Sequence, residues 1–129
     1  IYYYDSSPLE ESYDKPLSEE KIDFAKSHVV GQSRALFEQL AKHPFVALRL
    51  GELSFNGWQI KNKVLTKSHG KKEIAITETD LSPNITQKGV DMRIGMDIAA
   101  LTLKKQVQTI VLVTGDSDFV PAMKFARRE

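Results

Sequence analysis

"TIVLVTGDSDFVPAM", residues 109–123, is the stretch whose reading decides the fold. It opens as an uninterrupted apolar run from Ile110 to Val113. A run this short and this apolar predicts a strand covered on both faces, the type found in parallel sheets. Gly115 ends it and gives the turn its freedom. Asp116 and Asp118 then follow, two positions apart. In open α/β sheets, ligands bind beyond the carboxyl ends of the strands, so two carboxylates at that place need a reason. A helix starting near Asp118, with Pro121 in its first turn, supplies part of one. Ser117 or Asp118 as its cap accounts for one carboxylate better than for two.

Upstream, "GVDMRIGMDIAALTLKK" at 89–105 is the clearest helix. Val90, Ile94, Ile98 and Leu101 make one apolar stripe, and Met92, Met96, Ala99 and Leu103 make a second on another side. A helix greasy on two sides is expected to be sandwiched. Helix, buried strand, helix is the doubly wound α/β pattern. Asp97 lies at the edge of the first stripe, where a carboxylate needs a partner because desolvation is costly. Arg93, one turn earlier, supplies an ordinary ion pair. Asp91 stands ~120° from Asp97 around the helix, so it reaches the same place only if the backbone at "QKG" bends it inward.

Four carboxylates meeting at one sheet edge would repel one another unless a cation intervened. Hard divalent ions such as Mg²⁺ and Mn²⁺ take oxygen ligands, often one or two carboxylates with water and a substrate phosphate. Such a site activates water and neutralises charge developing on a phosphodiester. No rival chemistry stands out. His28, His43 and His69 lack metal-ligand spacing, and there is no GxSxG or Walker loop. "GDSDF" faintly echoes haloacid-dehalogenase-like phosphatases, but the nucleophilic Asp motif they need on another strand is absent.

The rest of the chain reads less sharply. "IYYY" at 1–4 predicts a strand, and residues 5–20 a mobile acidic loop with Pro8 and Pro16. A helix is expected from Ser18 to about His43, weakened at Gly31 and stopped by "HPF". "FVALRL" at 45–50 and "WQIKNKVL" at 58–65 predict two strands around an "FNG" turn. Beyond them "EIAIT" suggests a strand and "DLSPNITQKG" a loop. From Leu53 to Lys72 there is no Asp or Glu, while Lys61, Lys63, Lys67, Lys71 and Lys72 gather near Trp58. Either this is a solvated face, or it is a phosphate-facing strip with an aromatic on which a base stacks.

At 129 residues the chain reads as one domain. With no cysteine it has neither a disulfide framework nor a thiol nucleophile, and it leans mildly towards the cytoplasm. No apolar run approaches the ~20 residues a membrane helix needs. A net charge of +1 does not point to a nucleic-acid binder; the distribution of charge is more informative than the sum. The start at Ile1 rather than Met suggests a missing N-terminus.

"QKGVDMRIGMDIAAL" followed by "IVLVTGDSDFVPAMKFAR" resembles the NYN domains, a LabA-like branch of the PIN nuclease superfamily. "IYYYD" resembles that family's second strand. The match is strong over 87–129, thin at 1–5 and uninformative across most of 6–86. The resemblance implies a three-layer α/β/α sandwich with a mainly parallel central sheet. It also implies an acidic pocket binding Mg²⁺ or Mn²⁺ for RNA hydrolysis. By position Asp91, Asp97, Asp116 and Asp118 match the acidic residues, and Thr114 matches a supporting hydroxyl. Asp116 would face the metal, while Asp118 would cap the last helix and complete the ring. RNA is then the expected partner, a membrane is not, and association into a homo-oligomer stays open. Family members begin with a strand ending in aspartate, commonly in a "DGEN"-like stretch. That stretch is absent here, and the chain ends at "ARRE", before the strand that usually follows in the family, so the domain is expected to be incomplete at both ends. Asp5 is no substitute, since it ends the second strand. A NYN-like module that binds RNA or protein without cutting is the alternative.

Overall fold

The computed structural model describes all 129 residues, and they pack as two compact units, Ile1–Lys88 and Gly89–Glu129. The first holds β1 (Tyr2–Ser7), β2 (Ser12–Asp14), β3 (Lys21–Asp23), α1 (His28–Lys42), β4 (Ala47–Ile60), α2 (Asn62–Lys67) and β5 (Leu81–Lys88). The second holds α3 (Val90–Leu103) and α4 (Val120–Arg128).

The sheet of the first unit runs β1-β4-β5. The long strand β4 is central because its two sides find different partners. Tyr2–Ser7 pairs parallel with Ala47–Glu52, and β5 pairs antiparallel along β4 to Ile60. The sheet is therefore mixed, where a mainly parallel one was expected. "FNG" does not turn the chain. It forms an irregularity between Phe55 and Trp58, where the register shifts and Gly57 takes a φ of 85°. The ladder ends at Ile60–Leu81. Past that point the chain has no strand to pair with, and residues 62–67 coil into α2 instead of continuing as a strand.

β5 occupies "LSPNITQK", read above as loop. Pro83 and Asn84 are loop signals, but an edge strand tolerates a proline whose missing N–H would have faced away from the ladder. At the other end of the sheet, buried Ser6 accepts a hydrogen bond from the Gln87 amide at 2.7 Å.

Residues 12–23 also depart from expectation. Instead of a loop leading into a helix, β2 and β3 form a small antiparallel ribbon. Aromatic packing fastens it to β4. Tyr13 stacks on Phe55 with centroids 3.9 Å apart, and Phe24 meets both rings edge-on or tilted at 6.1–6.2 Å. Phe24, read from sequence as the apolar face of a helix, is taken by this cluster. The helix therefore begins later, at His28, where the Ser27 hydroxyl accepts the Val29 N–H. It ends at Lys42, before "HPF", as its sequence signals indicate.

In the second unit α3 packs against α4. Val90, Ile94 and Ile98 are buried at four-residue spacing. The other stripe is not sandwiched: Met92, Met96 and Leu103 are 62–69% exposed. Within this unit one helix, α4, and a connecting segment are all there is to cover α3, and they leave its other side in water. Residues 109–114 likewise lie outside helices and strands, with Val113 93% exposed. A strand exists only through ladder partners, and this unit contains no other strand to supply them.

Candidate active site

The site residues expected from sequence fall into two groups. Asp91, Asp97, Thr114, Asp116 and Asp118 lie in the second unit, whereas Trp58 and the lysines of 61–72 lie in the first.

The loop after residue 113 is built by its own polar side chains. The Thr114 hydroxyl accepts the Asp116 N–H at 3.1 Å, and the Asp116 carboxylate accepts the Asp118 N–H at 2.8 Å. Asp116 thereby caps the 3-10 turn Ser117–Phe119, from extended backbone at φ −98° and ψ 118°. Sequence placed the cap at Ser117 or Asp118; one position earlier fits because the cap residue must still be extended while the next ones coil. Phe119 is buried and pins the turn, which runs straight into α4 with Pro121 in its first turn. Asp116 and Asp118 both stay exposed.

Asp91 sits exposed in the first turn of α3, entered through Gly89 at φ 87°. Asp97 is half-buried and engaged, not a bare charge. The structure thus ties Thr114, Asp116 and Asp118 into one loop and sets Asp91 and Asp97 on one helix. It does not gather these carboxylates into a group of three or more able to hold a metal ion. The donor chemistry, exposed carboxylates beside a hydroxyl, suits a hard cation held by one or two carboxylates with water and substrate oxygen. A cage of four carboxylates is not formed.

A cleft of about 520 Å³ opens beside this loop, lined by Leu112, Thr114, Asp116, Phe119, Lys124 and Arg127 among others. Lys124 and Arg127 were not singled out from sequence. The signal was present, since they are three apart on a helix that begins at the acidic turn.

In the first unit the basic strip divides. Lys61 is used internally: its ammonium donates to the Thr79 carbonyl at 2.7 Å. With Lys63 it also helps hold the Asp80 carboxyl below the usual range, after the larger effect of the Thr77 N–H bond. Lys63, Lys67, Lys71 and Lys72 are exposed and belong to no ion pair. Trp58 is half-buried; its indole N–H donates to the Asp14 carbonyl at 3.1 Å and its ring meets Phe55 edge-on at 5.8 Å. Asp5 is likewise occupied, accepting the Ser6 N–H at 2.7 Å and the Tyr3 hydroxyl at 3.4 Å. Partial burial, with Asp5 nearby, pushes the Tyr3 hydroxyl pKa up.

The NYN domain family model matches residues 22–129 of the chain. No curated protein and no solved structure gives a significant match. NYN domains have a PIN-like α/β fold of the nuclease type, and nucleases of this kind use divalent metal ions on RNA. No helix here is long and apolar enough to cross a membrane.

Proposed function

Because the chain belongs to the NYN domain family, we propose that it is a metal-dependent ribonuclease of the LabA-like branch, acting in the cytoplasm as a single PIN-like domain. The observation that carries this reading is the loop Thr114–Phe119, which holds Asp116 and Asp118 in a prebuilt turn, both exposed, with Asp116 lining a cleft. Carboxylates already held by a turn can take up a hard cation with little reorganisation of the loop, and the cation then meets the charge that develops.

Asp116 and Asp118 would hold Mg²⁺ or Mn²⁺, with Asp91 and Asp97 completing the acidic set. When bound, the ion supplies Lewis-acid activation of water and charge neutralisation at the phosphodiester. Thr114 keeps the Asp116 backbone in place. Lys63, Lys67, Lys71 and Lys72 give RNA an exposed basic face for its phosphates. Lys61 and Trp58, expected from sequence to share that face, spend their polar atoms within the fold.

The test is cleavage of single-stranded RNA with Mg²⁺ or Mn²⁺, abolished by EDTA and by Asp116→Asn. A cation bound only by the folded chain also raises the melting temperature by mass action. Asp97→Asn should remove most of that rise; a rise that survives the substitution takes Asp97 out of the site.

A second reading has its own support. These carboxylates do not form a group of three or more metal donors, which favours a module that binds RNA without cutting it. RNA binding that persists in EDTA, with no cleavage under any divalent ion, would select that reading.

A further inference from the structure

The cleft beside Asp116 has a cationic side as well as an acidic one. Thr114 and Asp116 line it from the loop, and Lys124 and Arg127 line it from α4. Their three-residue spacing puts both cations on one face of the helix, one turn apart. Both are exposed, and neither belongs to an ion pair.

The ordinary explanation for cations late in a helix is the negative dipole end. The last turn of α4 does carry Arg127 and Arg128. That account treats the two arginines alike, yet Arg127 lines the cleft and Arg128 does not. Nor does it reach Lys124, a turn earlier. The cleft also has an apolar part, formed by Leu112 and the buried Phe119. An apolar surface with two unpaired cations along one wall matches a ligand that joins a flat apolar group to an anionic link. A nucleotide within a strand has that chemistry. The Asp116 carboxylate, which also lines the cleft, would repel a bare anion, so the phosphate belongs with the cations of α4.

We propose that Lys124 and Arg127 hold a backbone phosphate of single-stranded RNA in this cleft, and so position the strand along the Asp116 loop. The identity of the ligand rests on the ribonuclease reading; the cationic wall does not. Arg127 can grip two phosphate oxygens through its planar fork, while Lys124 acts as a point charge. Both are binding and positioning residues, with no part in bond making.

The test is fluorescence anisotropy of a labelled oligouridylate in EDTA, so that binding is read without cleavage. The proteins compared are the wild-type chain, Lys124→Gln/Arg127→Gln, Lys124→Arg/Arg127→Lys and Arg128→Gln. The glutamine pair should bind about tenfold more weakly at low salt. Its plot of log affinity against log salt should be shallower by about 0.7, the contribution of one neutralised single-strand phosphate. The charge-conserving pair should retain most of the affinity, and Arg128→Gln should bind as wild type does. An unchanged affinity and slope in the glutamine pair overturns the proposal. So does an equal loss in Arg128→Gln, which would mean net charge and not position. Circular dichroism melts check that the variants are folded, and the Arg128 and charge-conserving variants carry the comparison if the glutamine pair is not.

The two readings fail separately. Wild-type cleavage of RNA with unchanged binding by the glutamine pair leaves the ribonuclease standing and removes the α4 wall. Binding that depends on Lys124 and Arg127, without cleavage under any divalent ion, does the reverse. A wild-type chain that does not bind RNA in EDTA overturns the proposal, and cleavage with divalent metal then decides the ribonuclease reading on its own.

Discussion

The carboxylate of Asp116 accepts the backbone N–H of Asp118 at 2.8 Å, so one aspartate builds the turn that displays the other. Structure and chemistry are joined in one side chain, and substitution can separate them. Asparagine caps a helix about as well as aspartate, whereas alanine forfeits the cap and costs about 1 kcal/mol. Asp116→Ala should lower the urea-unfolding free energy by about that amount, and Asp116→Asn by little. Both should abolish RNA cleavage. Cleavage that survives in Asp116→Asn would leave Asp116 with the turn alone.

Gly89 enters α3 at φ 87°, in the left-handed region. A Cβ added there meets nothing within 4 Å, so sterics from neighbours contribute nothing to a substitution. The cost of Gly89→Ala is then backbone strain alone, roughly 1–2 kcal/mol. Chemical denaturation checks this. A neutral substitution would show that the helix entry relaxes freely. A drop in cleavage beyond the loss of folded protein would show that this bend positions Asp91.

The Asp80 carboxyl is held below its usual pKa, chiefly by the Thr77 N–H at 2.9 Å and further by its hydroxyl and by Lys61 and Lys63. A depressed carboxyl stabilises the fold only while ionised. Its contribution is present above the unfolded value of about 3.9 and is lost as pH falls through the lower folded value. Wild type should therefore melt above Asp80→Asn near pH 5, and the gap should close as the acid titration proceeds. A gap independent of pH would make the bond to Thr77 insensitive to charge.

The basic strip and its neighbouring aromatic make separate predictions. Charge reversal at Lys63, Lys71 and Lys72 should weaken RNA binding across sequences and flatten its salt dependence. Equal affinity in that triple variant returns the strip to a solvated face.

Trp58 is the chain's one tryptophan, so its emission reports on that ring alone. With its N–H on the Asp14 carbonyl and its ring against Phe55, it should keep its emission when RNA saturates the protein. Trp58→Ala should instead cost roughly 2 kcal/mol of stability, less than the ~3–5 kcal/mol of a fully buried aromatic. Quenching by RNA would give the ring a stacking role after all.

What the sequence by itself determined is the part governed by near neighbours. The helix from Val90, its buried stripe through Ile94 and Ile98, the stop before "HPF" and the turn into α4 all follow from contacts a few residues apart. The residue types of the acidic loop were legible for the same reason, down to a cap misplaced by one position. Tertiary structure decided the rest. Leu81–Lys88 is a strand despite Pro83 because β4 offers it an edge, and residues 62–67 are a helix because that edge has run out. Phe24 joins an aromatic cluster because Tyr13 and Phe55, 11 and 31 positions away in the chain, come to meet it. Lys124 and Arg127 acquire significance by sharing a cleft with Asp116. Periodicity and capping act along the chain, but a ladder, a ring cluster or a binding cleft is formed by partners whose positions no local pattern encodes.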